Sequence, residues 1–187
     1  MKRFVYMTIG ITHSGKTSFA KEIERVIPNT LLIDQDNHAA FLNTHYPKLV
    51  PTGNENTLKV LLSQFILSYA IEQTNHNIII SSSNLNAHAR KQLLHAFFPE
   101  ETWHRVFIYF HLDPAIIQER IAQTTRTTAI FRNNTLTFQD IYTQHALQLQ
   151  IPSADECDTL FIVHTETDLQ RIQSALLALH DQSITLK

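Results

Sequence analysis

The octapeptide Gly10-Ile11-Thr12-His13-Ser14-Gly15-Lys16-Thr17 decides how this chain is read. It fits the pattern G-x-x-x-x-G-K-[ST], and it stands where that pattern requires, after an apolar run (Phe4–Ile9) and at the start of a helical one. Each part has a physical task. Successive backbone N–H groups and the N-terminus of the following helix form a concave nest of donors for phosphate oxygens. Lys16 places a flexible cation on the β- and γ-phosphates, and the Thr17 hydroxyl is a hard oxygen ligand for Mg²⁺. The candidate phosphate-binding residues are therefore Gly10, Ile11, Thr12, His13, Ser14, Gly15, Lys16 and Thr17, with Ser18 adjoining. His13 occupies a variable position of the pattern and is read as a backbone donor whose side chain lies outside. Glycine use supports the loop. The chain has 3 glycines in 187 residues, against a usual share of about 7%, and two of them are here.

Outward from this loop the pattern alternates. Phe4–Ile9 is a β-rich run, and Lys16–Ile27 sets Phe19, Ala20, Ile23, Val26 and Ile27 at helical spacing before Pro28-Asn29. Leu31–Ile33 is a second strand. Residues 37–56 carry Pro47, Pro51, Gly53 and several Asn, and read as irregular after one helical turn. Thr57–Gln73 reads as a helix whose Leu58, Leu61, Leu62, Phe65, Ile66, Tyr69 and Ala70 face the core. Asn77–Ile80, Val106–Phe110 and Thr159–Val163 are further strands. Ala87–Phe98, a segment from Asp113-Pro114, Phe138–Gln150 and Thr167–Leu179 are further helices, with Thr137-x-x-Asp140 as a capping box. Short all-apolar strands alternating with helices predict an α/β fold of three layers, a five-stranded parallel sheet covered by helices on both faces. One domain over residues 1–187 is expected, with the polar, aperiodic stretch Thr124–Leu136 as a short lid.

Composition narrows the class of function. The chain is 43% hydrophobic and 17% charged, with a net charge of −2. That balance excludes wholesale disorder and argues against an extended nucleic-acid track, which needs a marked Lys/Arg excess. The one cysteine, Cys157, leaves no internal disulfide, so a reducing, cytoplasmic setting is expected. Met1–Arg3 with Phe4–Ile9 reads as a strand rather than a signal, and no apolar run reaches the 18 or so residues of a membrane helix. The 11 histidines form no metal-binding pattern and read as surface or packing residues.

Beyond the loop, the chemistry-bearing residues are Asp34 and Asp36. They close the second strand, and on an extended segment residues two apart point the same way, here toward the rim above the phosphate loop. One carboxylate can hold the water shell of a metal, and the other can orient and deprotonate an acceptor hydroxyl. No N-K-x-D guanine-reading motif occurs, and the third strand ends in Ser81-Ser82-Ser83 rather than in an acid.

Three stretches resemble the small P-loop kinases of the AAA-type ATP-binding group, including the shikimate and gluconate kinases and the kinase domain of polynucleotide kinases. They are the phosphate loop, Leu32-Ile33-Asp34-Gln35-Asp36, and Ile80-Ser81-Ser82-Ser83-Asn84-Leu85-Asn86. Polynucleotide kinases tend to carry Asp at the position of Ser82, and the glycine triplet of the shikimate kinases is absent. The resemblance implies a P-loop NTPase fold of the nucleoside- or shikimate-kinase type. It also implies ATP and Mg²⁺ as cofactors and transfer of the γ-phosphoryl group to an acceptor hydroxyl. It places Lys16, Asp36 and Arg126 in catalysis, Thr17 and Asp34 at the metal, and Arg120 and Arg126 on the nucleotide, with Arg132 a further lid arginine. Arginine suits a lid because its rigid fork neutralises the transferred phosphoryl group. Arg90 stands as a candidate for an acceptor phosphate or carboxylate, against an exposed helix charge. The acceptor is read as a small metabolite or antibiotic, with a nucleotide or polynucleotide 5′-hydroxyl as the alternative. A nucleotide-binding regulatory or toxin-related module without turnover is the rival from another class. A monomer or a homodimer fits equally.

Overall fold

The computed structural model describes residues 2–49, 57–128, 130, 131 and 136–185, the last four as backbone alone. Five strands, β1 (Arg3–Ile9), β2 (Thr30–Asp34), β3 (Asn77–Ser81), β4 (Trp103–Phe110) and β5 (Thr159–Val163), pair in parallel in the order β2-β3-β1-β4-β5. Ile78, Ile79 and Ile80 are each at most 2% exposed. A strand buried on both faces has no polar alternation, so the apolar runs of the sequence become the sheet.

Around the sheet lie α1 (Lys16–Val26), α2 (Gln35–His45), α3 (Thr57–Gln73), α4 (Ala87–Phe97), α5 (Pro114–Ala122), α6 (Phe138–Gln148) and α7 (Glu166–Thr185). Side chains of a strand alternate faces, and β1 shows what that does. Phe4 and Tyr6 join Phe19 and Ile23 of α1 and Ile172 and Leu176 of α7 in one core. Val5, Met7 and Ile9 join Leu67 and Ala70 of α3 and Leu94 of α4 in the other. Each such buried side chain stabilises the fold by roughly 1.5–3 kcal/mol. The three-layer α/β architecture is therefore the one the alternation predicts.

Two elements depart from the sequence reading. The segment after Asp36 is not irregular after one turn. It forms the three-turn helix α2, capped by the Asp34 carboxylate, which accepts from Asp36 N at 2.9 Å. Few apolar residues mark this helix, since only Ala39 and Leu42 are buried along it. In α3 only part of the apolar stripe is core, with Ala70 buried and Ile66 packed against it. Leu61, Phe65 and Tyr69 are 61%, 71% and 62% exposed, and Ser63, Leu67 and Ala70 face inward.

Register fixes the site. Thr8 on β1, Ser81 on β3 and Asp34 on β2 stand level across the C-terminal edge of the sheet. The helices leaving β1 and β3 pack on opposite faces, and such a divergence opens a crevice at the strand ends.

Candidate active site

The loop between β1 and α1 is built from backbone that few residues adopt. Gly10 has φ 149° and Gly15 has φ 95°, and His13 also lies at positive φ, 59°. A Cβ on Gly10 would come within 3.0 Å of Phe110 O, so the loop presses directly on β4. Gly10 N donates to Ser83 O at 3.0 Å, which ties the loop to the exit of β3. Ser14 Oγ donates to Ile11 O at 2.9 Å, and the Lys16 ammonium donates to Ile11 O and to Ser14 Oγ. Burial pushes the Lys16 pKa down to about 7. A buried cation without a full counter-charge is a site that favours an anion.

The groups predicted at a metal meet here. Thr17 Oγ1 lies 3.3 Å from Ser81 Oγ, and Asp34 is level with Ser81 on the next strand. Asp34 is 4% exposed, and burial pushes its pKa above the usual carboxylate range while the Asp36 amide opposes that shift. Two hydroxyls and one carboxylate suit Mg²⁺, which keeps most of its waters and takes few protein ligands. Among the described residues no cluster of three or more His, Cys, Asp or Glu is placed to hold a metal.

Asp36 lies on the first turn of α2, not on extended backbone, because Asp34 ends the strand and caps the helix. The carboxylate is half exposed and stands between two cations, Lys59 Nζ at 3.8 Å and Arg126 Nη2 at 3.5 Å. Arg126 also lies over the Phe138 ring, 5.5 Å from its centroid. Arg120 donates to His13 O at 3.3 Å and pairs with Glu166 at 3.3 Å, so it does stand at the phosphate loop. Arg132 and residues 129 and 133–135 of the expected lid lie outside the described residues. The Ser82 hydroxyl donates to Gln35 Oε1 at 3.4 Å.

Two sequence readings are corrected. Arg90 is neither an acceptor ligand nor an exposed charge. It is 1% exposed and donates from Nε and Nη2 to Glu156, each at 2.8 Å, and from Nη1 to the carbonyls of Asn84, Leu85 and Gln150. A guanidinium with every nitrogen hydrogen-bonded and a carboxylate partner can be buried, and it locks the start of α4 to the chain before β5. His13 does not point outside. Its Nδ1 meets Thr12 Oγ1 at 2.9 Å, its Nε2 meets Thr124 Oγ1 at 3.0 Å, and its ring packs edge-on against Phe138.

His145 was not singled out by sequence. Its Nδ1 accepts from Thr12 N at 3.1 Å, so α6 touches the phosphate loop itself. Burial pushes its pKa down to about 4. The partners are 133 positions apart, and no local pattern announces them. The one available signal was its place at helical spacing with Ile141, Gln144 and Gln148.

These residues line one cavity of about 1710 Å³. The phosphate loop, Asp34 and Asp36 stand in its wall with Lys59, Arg120, Arg126 and His145. Leu112, Val163 and Leu169 contribute apolar lining.

The model of a family described as an AAA domain matches residues 5–145. A search of curated protein sequences finds no match. Among solved structures, an unliganded sugar kinase from a Janibacter species is similar over 94% of this chain and 95% of its own, with a TM-score of 0.62 and 15% identity. Kti12 of Chaetomium thermophilum, in complex with ADP-AlF3, is similar over 93% of this chain and 97% of its own, with a TM-score of 0.62 and 13% identity. The shikimate kinase of Bacteroides thetaiotaomicron covers 92% of this chain and 98% of its own, with a TM-score of 0.58 and 16% identity. At these identities the likeness establishes the fold.

Proposed function

The chain belongs to the AAA-domain family, and on that premise we propose that it is a phosphotransferase that moves the γ-phosphoryl group of MgATP to the hydroxyl of a small-molecule acceptor. The observation that carries this reading is Asp36, a carboxylate flanked by Lys59 and Arg126 in the same cavity wall as the phosphate loop. A mere binder of nucleotide has no use for a half-exposed carboxylate beside the phosphoryl site. The cavity, at about 1710 Å³, exceeds the roughly 300–1,000 Å³ of a pocket for one small ligand, so nucleotide and acceptor fit side by side.

In this reading residues Gly10–Ser18 hold the phosphates, and the apolar lining at Leu112, Val163 and Leu169 takes the base. Lys16 and Arg126 offset charge on the phosphoryl oxygens, and Arg120 steadies the loop and the nucleotide. Thr17 is the hydroxyl ligand of the metal, and Asp34 orients the metal's waters with Ser81 beside it. A bound Mg²⁺, held by Thr17 and by waters that Asp34 orients, would neutralise charge on the transferred phosphoryl group. Asp36 receives the acceptor proton, and Lys59 and Arg126 hold its carboxylate in place.

Asp36→Asn keeps the shape and removes the base. MgATP should still bind, because the loop holds the phosphates. Single-turnover transfer should fall by roughly 10²–10⁴-fold, the usual range for a positioned base. Asp34→Asn should instead raise the Mg²⁺ requirement and weaken MgATP more than free ATP. Transfer at the wild-type rate by Asp36→Asn would refute the base assignment. Stabilisation by MgATP with no transfer to any acceptor would make the chain a nucleotide-binding module instead.

A further inference from the structure

One face of α6 lines the same cavity as Asp36. Ile141, Gln144, His145 and Gln148 recur at i, i+3, i+4 and i+7, and all four line the cavity. Three of them are uncharged hydrogen-bonding side chains. Asn37 on α2 and Ser83 after β3 add two further uncharged hydrogen-bonding side chains to the lining.

The tautomer of His145 follows from its neighbour. Thr12 N can only donate, so Nδ1 must carry the lone pair, and a neutral imidazole then carries its proton on Nε2. The ring thus offers one fixed N–H donor on a cavity-lining side chain. The cations of the cavity are committed elsewhere among the described residues. Lys59 and Arg126 face Asp36, Arg120 faces Glu166 and His13 O, and Lys16 belongs to the phosphate loop. Lys21 lies near enough to Asp34 to favour its carboxylate. Arg90, the residue that would have received an acceptor anion, is buried on Glu156.

We propose that the acceptor is an uncharged, polyhydroxylated molecule, a sugar, polyol or nucleoside, whose hydroxyls are read by the α6 face through His145 Nε2–H, Gln144 and Gln148. This rests on the phosphotransferase reading above and names its substrate class. A site built of matched hydrogen-bonding groups rejects an analogue that leaves them unpaired, and an acceptor carboxylate or phosphate laid on the α6 face would be desolvated against side chains that carry no charge.

The test uses γ-labelled ATP and a panel of pentoses, hexoses, polyols and nucleosides set against the matching aldonic acids and monophosphates. Neutral members should be phosphorylated, with kcat/KM at least about tenfold above their charged counterparts. Two substitutions then divide the ring. His145→Asn keeps an acceptor near the place of Nδ1, for Thr12 N, and loses the Nε2 donor. It should raise the acceptor KM by about 3–10-fold, the worth of one neutral hydrogen bond, with KM for MgATP unchanged. His145→Gln keeps a donor near Nε2 and should restore the acceptor KM. Gln148→Leu, at a residue with no hydrogen bond to the loop, should raise the acceptor KM alone. Transfer confined to anionic acceptors, transfer to no neutral member, or a His145→Asn effect on MgATP instead of the acceptor would each overturn the proposal. A failure of MgATP to stabilise the wild-type chain is a different result, because it removes the kinase reading beneath.

Discussion

His145 is the residue whose surroundings say most about how this site works. Burial holds its imidazole near pKa 4, below the ordinary 6.5, and the neutral ring accepts the Thr12 amide. The unfolded chain therefore binds the proton more readily than the folded one. The resulting stabilisation is complete above about pH 6.5 and is lost as pH falls toward the folded value. His145→Asn retains an acceptor for Thr12 and does not titrate. Denaturant unfolding at pH 7 and pH 4 should show the wild type losing more stability than the variant, by on the order of 3 kcal/mol. Equal losses would mean that the ring is not held neutral in the fold. Sequence exposed the residues that act through local spacing, such as Lys16 and Thr17 in one octapeptide. It did not expose His145, whose partner is 133 positions away, nor the burial of Arg90, whose partner Glu156 is 66 away. A lone histidine or arginine carries no mark of the chain that will close over it.

At the level of elements, sequence succeeds where burial is two-sided and fails where it is partial. The strands and α1 bury most of their apolar residues, so periodicity locates them. In α2 only Ala39 and Leu42 are buried, and its start is set by the Asp34 cap, a single side chain. That cap also turns the two carboxylates from an extended pair into a strand end and a helix turn, while leaving both in one cavity wall. In α3 the apolar residues encircle the helix, and composition cannot tell which stripe is covered. Substitution can. Leu67→Ala should cost about 2–5 kcal/mol by opening the core beside β1. Phe65→Ser, at a residue 71% exposed, should stay within about 0.5 kcal/mol. Denaturant midpoints of the two variants at unchanged m-value give the comparison. A larger cost at Phe65 than at Leu67 would reverse the assignment of the buried face.

The site draws on nearly every level of the molecule, which makes nucleotide binding a test of the whole. The phosphate loop leaves β1, Asp34 ends β2, Ser81 ends β3, Arg120 comes from α5 and His145 from α6. A ligand that touches all of these opposes unfolding of all of them, by RT ln(1 + [L]/Kd), or about 2.7 kcal/mol at a hundredfold excess over Kd. For a chain of this size that corresponds to a rise in Tm of roughly 5–10 °C. Lys16→Ala should abolish most of the rise and leave the unliganded Tm near that of the wild type, since the ammonium serves only the loop's own oxygens in the free protein. The connection after α5 should respond most. Its described part is held by side-chain contacts such as Thr124 to His13, Arg126 to Asp36 and Asn43 to Phe131 O, and by turn bonds from Thr124 N to Ile121 O and from Phe131 N to Thr128 O. Exposed backbone outside helix and sheet opens at low free energy. Its amides should exchange quickly in the free chain and slow on addition of MgATP, as Arg126 exchanges a long ion pair with Asp36 for phosphate oxygens. Exchange at residues 124–131 that is slow from the outset and unmoved by MgATP would show that this connection is a fixed wall and not a lid. A preserved rise in Lys16→Ala would place the nucleotide somewhere other than Gly10–Thr17.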